Sequence, residues 1–559
     1  MFKRIFFTVS LSLSLAVTAV AQDSPLELFH KDVDVVLRLA EPDKTTENIV
    51  ALVNGAQPGF GEIARGAILE NLGKAISNPT LTGADQSRDW HVGIFTNGQD
   101  EPSVVFAIPT VEADDFVSAL GDGFDSSVHG KYVLYTDKGT VPDVPEAANS
   151  LAKEMSEKTK AAFDMGEISL HVNSKHLVNS YRDELSTAYD QVLEGLNQIR
   201  FAMPQDSGIN IGPIIELYGT LAEHLFQSVR DSKSLTIAVS LGAKGVRIEE
   251  YTEFTKASKT AKLLTAHPTA GMADLVKLPK DAVAYYGLSG GLEESIKWSM
   301  DLTAGMSQDA DVRENLQKVF SDLDEVEFGV MVGSIAIGNS ADGLFQVAGI
   351  ADVKPMDKFK SYMRNSIGAM KELKMPGMTQ TSEIAEDAET YGDYKADVVT
   401  IKQEFDEDSP QAEMQSRMQK VLFGSNGMQS RVIYMEDRYL TVMGGGPEAT
   451  KSAVAGLSSS SNTQIEKPRE ILMKEANFIG LLDLPGGVAA GLKAASEMDE
   501  FPLPVDAQMV DNLNLTPSFI GLGIAIEEDA IRCRTDIPME QIQGISKLAI
   551  LFIGMQNRL

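Results

Sequence analysis

Along the chain, short alternating or continuous apolar runs are followed by stretches in which apolar residues recur every three or four positions. The first pattern predicts strands and the second helices. Asp34 to Leu39 reads as a strand and Thr45 to Val53 as the helix after it. The same succession returns at Ala282 to Tyr286 and Leu292 to Met300.

A hairpin and a helix come next in both places. His91 to Thr96 and Ser103 to Ile108 flank Asn97-Gly98 and lead into a helix through Phe116. Their counterparts are Glu327 to Ile337, a turn at Asn339 to Gly343, Leu344 to Ile350, and a helix through Phe359. Asn-Gly between apolar runs predicts a hairpin because both turn positions need positive φ. Further on, Lys131 to Tyr135 precedes Pro145-Glu146-Ala147 and a helix, as Arg438 to Val442 precedes Pro447-Glu448-Ala449. Proline and Glu in a first turn suit the free amides and positive dipole there. Ile168 to Val172 with Lys175 to Leu185 echoes Phe478 to Leu482 with Val488 to Ala495. Each half closes on a hairpin: Leu235 to Leu241 with Val246 to Tyr251, and Phe519 to Ile526 with Ile531 to Thr535.

Five elements recurring in one order read as an internal duplication. Strands that come as hairpins separated by helices predict an α+β fold of two related tandem modules, each a mostly antiparallel sheet covered by helices. The boundaries that follow are a first module over 22–262, a connector over 263–274 and a second module over 275–559. The first module carries a helical insertion near 186–230. Within it, Ile214, Leu217, Leu221, Leu225 and Val229 make Pro213 to Val229 an amphipathic helix with an apolar stripe.

Composition adds constraints. The 559 residues are 43% hydrophobic and 23% charged, as in globular proteins, and long enough for two cores. With 49 Lys and Arg against 80 Asp and Glu the net charge is -31, which repels nucleic acid and anionic headgroups. The single cysteine, Cys533, excludes an internal disulfide and a Cys-based zinc cluster. Superposing the closing hairpins sets Cys533 against Ile248, an apolar position, so it reads as a packed thiol.

The beginning of the chain has the layout of a signal peptide over 1–21. Lys3 and Arg4 precede an apolar stretch from Ile5 to Val20, and Ala19-Val20-Ala21 offers cleavage after Ala21. The stretch is short and hydroxyl-rich for a membrane span, and the longest later run, Leu548 to Met555, is shorter still and reads as a docked element. The expectation is an exported protein, periplasmic or secreted, that is not integral to a membrane.

Several motifs suggest chemistry. Gly287-Leu288-Ser289-Gly290-Gly291 fits G-x-S-x-G between a strand and a helix. The base that a hydrolase of that kind needs follows its serine in the chain, yet His30, His91, His129, His171, His176, His224 and His267 all precede Ser289. The turn at Asp483-Leu484-Pro485-Gly486-Gly487 has proline in place of that serine, so the shared Gly-Gly reads as a tight turn. His171 and His176 straddle a strand-to-helix turn without a known metal spacing. His224, beside Leu225, reads as structural. Met356, Met363, Met370, Met375 and Met378 suit a gap-filling apolar face better than a copper site. The acidic groups at Asp322 to Glu325, Glu386 to Glu389 and Asp406 to Asp408 lack an ordered calcium loop and read as solvated faces. Gly444-Gly445-Gly446 lacks the Lys and Ser/Thr of a phosphate loop and reads as a hairpin exit.

The signal peptide, the strand-then-Gly-Gly turns and the repeated hairpin-helix units resemble a group of large, acidic, exported bacterial proteins without an assigned activity. That resemblance carries no catalytic residue over. The sequence therefore predicts no catalytic or cofactor-binding residues and no cofactor, with metal binding left open. It points to a non-catalytic binding or structural protein of the periplasm or cell exterior, whose partner is an envelope or extracellular protein or a small apolar ligand. Two alternatives stand beside it. One is a metal-assisted hydrolase in the first half, where His171 and His176 lie; the other is a carrier of apolar ligands, with Pro213 to Val229 lining a groove.

Overall fold

The computed structural model describes residues 24–556 apart from 97–101, 140–143, 203–211, 292–295, 298–313, 316, 317, 320, 321, 339–342, 376, 407–411, 459–461 and 497–506. The expected signal peptide, the Asn97-Gly98 turn, most of the Leu292 to Met300 helix, most of the Asn339 to Gly343 turn and Glu407-Asp408 lie outside the described residues. The chain is α+β, and the nineteen strands among its described residues pair antiparallel in every described register from β1 to β19. It forms two compact units. One comprises the chain up to Ala188, Phe226–Leu264 and Glu527–Gln543; the other comprises Tyr189–Leu225, Thr265–Ile526 and the chain from Gly544.

In the first unit the strands are β1 (Val35–Leu39), β2 (Trp90–Phe95), β3 (Ser103–Pro109), β4 (Phe124–His129), β5 (Tyr132–Asp137), β6 (Ile168–Val172), β7 (Ser232–Gly242) and β8 (Gly245–Phe254). β1 is central, pairing with β2 through Val35–Ile94 and with β6 through Val35–Val172. The order across the sheet is β4-β5-β3-β2-β1-β6-β7-β8. Strand alternation sends neighbouring residues to opposite faces, and here both faces are covered. On one face Val36, Ala107 and Leu134 pack with Leu26, Phe29, Leu151 and Phe163. On the other, Ile108, Val133 and Tyr135 pack with Trp90, Phe116 and Phe124. Gly93 makes room for the Phe29 ring, since a Cβ there would sit 2.6 Å from it. The Phe116 and Phe163 side chains are fully buried, each contributing roughly 2–3 kcal/mol of transfer free energy.

In the second unit the strands are β9 (Ala284–Leu288), β10 (Glu327–Ile337), β11 (Phe345–Lys354), β12 (Glu372–Met375), β13 (Met378–Tyr391), β14 (Tyr394–Phe405), β15 (Met428–Tyr434), β16 (Arg438–Met443), β17 (Phe478–Leu482) and β18 (Ile520–Glu527). β9 is central, between β10 and β17. The order is β12-β13-β14-β15-β16-β11-β10-β9-β17-β18. One core gathers Met272, Tyr285, Val332, Ile350, Leu440 and Ile479, and two others form around Phe359 and Ile367 of the helix Met356–Ala369. The last strand, β19 (Ala530–Pro538), runs beside β8 with Cys533 opposite Glu250.

Four expectations are corrected. Pro447 does open the helix Gly446–Leu457, but Pro145 precedes only a 3-10 turn at Ala147–Asn149 and a single turn at Leu151–Glu154. Gly290 and Gly291 have φ of +73° and +67°, whereas Gly486 and Gly487 lie inside the helix Leu484–Ser496. The Gly-Gly pair is thus a left-handed turn in one place and helical in the other. The helix expected at Pro213 to Val229 is present as Gly212–Asp231, yet Leu221, Leu225 and Val229 of its apolar stripe are exposed. His224, read as structural, is exposed as well.

Candidate functional site

Most groups with chemical potential are engaged in holding the fold. Ser289 is buried just after β9, and its hydroxyl donates toward the carbonyls of Pro268 (3.1 Å) and Ala476 (3.0 Å). Its Oγ is turned into backbone acceptors, the reverse of a nucleophile raised on a turn. The Ser289 amide bonds the Asn477 carbonyl, and the Asn477 side chain donates to the His267 carbonyl, so the segment is tied from both sides. In the Gly444 to Gly446 run all three φ are positive, and a Cβ on Gly444 would meet the Phe345 carbonyl at 2.1 Å. Close strand packing accounts for that glycine.

Residues of two of the acidic groups are paired. Asp324 meets Lys297 and Glu325 meets Lys358, each at 2.5 Å. Buried Asp397 takes two bonds from Arg364 (2.9 and 3.0 Å), which also meets Glu386. Burial acts to raise the Asp397 carboxyl, but the Arg364 bonds and the Asp387 amide outweigh it and hold it below the usual range. Glu389 is lowered in turn by Arg431, a buried guanidinium 2.8 Å away. The reading of Glu386 to Glu389 as a solvated face is corrected for Glu389, because β13 and β15, on either side of β14, bring Glu389 and Arg431 together.

Three of the methionines divide between two cores. Met356 and Met363 pack around Phe359, and Met370 packs against Ile367. Cys533 is half-buried on β19, and burial, with Glu250 opposite, pushes its thiol up to about 11. Such a thiol is protonated and unreactive at neutral pH.

The histidines separate by element. His171 on β6 and His91 on β2 are both buried against Phe163, with ring centroids 6.3 Å from its own. His171 Nδ1 lies 3.0 Å from Thr236 Oγ1, while His91 Nδ1 is buried with no hydrogen-bond partner. Burial pushes both imidazoles down to about 4. They are neutral core groups.

His176 differs. It lies on the helix Ser174–Ser180, capped by Asn173, whose Oδ1 accepts from the His176 amide. Its Nδ1 is 2.7 Å from Asp34 Oδ1, and the Asp34 side chain is fully buried while that of His176 is 26% exposed. Asp34 Oδ2 accepts from the Thr96 amide (2.6 Å) and hydroxyl (2.9 Å). A buried, hydrogen-bonded carboxylate against a part-exposed imidazole has the arrangement of the acid and base members of a catalytic triad. So the structure does not bring His171 and His176 together. It places His176 on an acid that sequence spacing could not reveal, 142 positions earlier in the chain. Among the described residues no group of three His, Cys, Asp or Glu side chains could hold a metal ion. No helix among them is long and apolar enough to cross a membrane.

Comparison with known proteins finds no matching family model, no similar curated protein and no similar solved structure.

Proposed function

We propose that the chain is an exported, non-catalytic binding or structural protein of the periplasm or cell exterior, built from two descendants of one α+β module. The observation that carries the duplication is strand order. The sequence β4-β5-β3-β2-β1-β6-β7 of the first unit repeats in the second as β15-β16-β11-β10-β9-β17-β18. Matching hydrogen bonds set the register. The Asp34 amide bonds the Ile94 carbonyl and Asn173 bonds Asp34, as Val283 bonds Ile335 and Asp483 bonds Val283. Asn173 caps His176 as Asp483 caps Gly486, three residues on in both cases. These shared bonds favour duplication over a chance match of common motifs.

The non-catalytic reading draws support from Ser289, the paired carboxylates and the buried imidazoles, all absorbed into packing. In that reading the surfaces of the modules engage an envelope or extracellular protein. The test is a broad hydrolytic screen of the purified protein beside a His176→Ala variant. The reading predicts no turnover that depends on His176.

A second reading, an enzyme confined to the first unit, is favoured by the Asp34–His176 pair. Its counterparts by register are Val283 and Gly486, so the second unit builds the same turn without either group. The fold therefore does not require the pair. Turnover abolished by both His176→Ala and Asp34→Asn would establish this second reading over the first.

A further inference from the structure

The helix Met539–Gln556 is inside out over its last two turns. Leu548 is buried, and Leu551 and Met555, three and seven positions later, are half-buried on the same narrow stripe. That side is docked. The rest of the circumference faces water, and it consists of Ala549, Ile550, Phe552, Ile553 and Gly554. Ile550 is 68% exposed, Ile553 60% and Phe552 42%. A surface helix ordinarily turns polar residues outward, and here the outward arc has none. The expectation that Leu548 to Met555 docks as a whole is thus met on one stripe only.

An outward arc this broad suits a continuous apolar medium better than the narrow seam of a second helix. Charge points the same way. The protein carries a net charge of -31, yet residues 541–559 contain no Asp or Glu and do contain Lys547 and Arg558. The segment thus adds no acidic side chain of its own near anionic headgroups, and exposed Lys547 complements them. Length limits the depth of entry. Eight residues of helix reach about 12 Å at ~1.5 Å each, less than half of a ~30 Å hydrocarbon core. The segment can enter one leaflet and cannot span it.

We infer that the turns from Leu548 to Met555 attach the protein to a lipid bilayer surface, with Ile550, Phe552 and Ile553 entering the acyl boundary. Lys547, exposed at the start of this stretch, lies beside the headgroups. Attachment of this kind is peripheral and reversible, and it makes the chain a surface-bound component of the envelope.

The experiment is flotation of the full-length protein, recovered after export, with vesicles of phosphatidylethanolamine and phosphatidylglycerol in a 3:1 ratio. Wild type should float with the vesicles. The double variant Ile550→Asp with Ile553→Asp should lose at least tenfold in bound fraction while keeping its circular dichroism spectrum. Leu221→Asp, on the exposed stripe of Gly212–Asp231, should bind as wild type does. Three results would overturn the inference: wild type that stays with the soluble fraction, equal loss in the Leu221 variant, or a concentration-dependent dimer dissolved by the double variant in the absence of lipid. The last would assign the arc to a second copy of the chain.

Discussion

Asp34 and His176, 142 positions apart in sequence, meet at 2.7 Å through a carboxylate that is wholly buried and an imidazole that is only partly so. Removing the acid alone leaves the Thr96 amide and hydroxyl without their acceptor. Asp34→Ala should therefore destabilise the first unit by about 3 kcal/mol in chemical denaturation. His176→Gly alone should cost less, because the ring reaches solvent. The double variant Asp34→Val with His176→Gly, which copies Val283 and Gly486, should be more stable than the sum of its single changes by about 1 kcal/mol or more. Strict additivity would show that the pair does not act as a unit.

Acid should act on the first unit through His91 and His171. Both are neutral in the folded state, with values near 4 against an ordinary 6.5. The unfolded chain takes up protons below pH 6.5 and the folded one does so only near pH 4. Stability is then fully present above pH 6.5 and falls as pH drops from 6.5 to 4, on the order of 3 kcal/mol per imidazole. Equilibrium unfolding at pH 7, 5.5 and 4.5 measures the slope. His91→Phe should flatten it, losing only the ring's hydrogen bond with the Asp89 backbone, since Nδ1 has no partner. His171→Phe should flatten it too but at a cost at pH 7, because Thr236 would lose its partner.

Arg364 permits an internal comparison. It binds buried Asp397 in bidentate fashion and also meets Glu386, whose side chain is 56% exposed. Asp397→Ala should destabilise the second unit by about 3 kcal/mol and Glu386→Ala by no more than about 0.5. The Asp397 carboxyl is held low, so its contribution is present above the ordinary carboxylate range and is lost as pH falls through its lowered folded value. Denaturant midpoints of the two variants at pH 7 and at pH 3 provide the check.

Ser289 supplies a chemical test. With its hydroxyl directed at two carbonyls, it should form no adduct with a fluorophosphonate probe, as read by mass spectrometry of the intact protein. Ser289→Ala should cost no more than about 1 kcal/mol, because one hydroxyl proton serves both carbonyls and each keeps a second donor, the Asn477 side chain for Pro268 and the Ala270 amide for Ala476. Labelling of Ser289 in the native protein would contradict the geometry.

Much of the fold is legible in the sequence because its strands are short, apolar and bounded by turns. Glu327–Ile337, Ile168–Val172 and Phe478–Leu482 fall where their apolar runs place them. β4 is not legible, since Phe124–His129 is half polar and has two serines in its middle. β13 is equally obscure, as its carboxylates belong to a long hairpin in which side-chain pairing stands in for burial. The helix Gly212–Asp231 is legible as a helix, but its exposed stripe is not, because periodicity indicates which residues share a side and not what covers that side.

The sequence by itself determined the kinds and order of most of the elements, the acidity of the chain and the echo between the halves, because each follows from local pattern or composition. Tertiary structure alone decided that β1 and β9 become central strands, that β19 lies beside β8, and that Asp34 finds His176. It also decided that Ser289 points inward and Ile550 outward. Strand pairing and the burial of a charge depend on partners far away along the chain, and no local window of residues contains them.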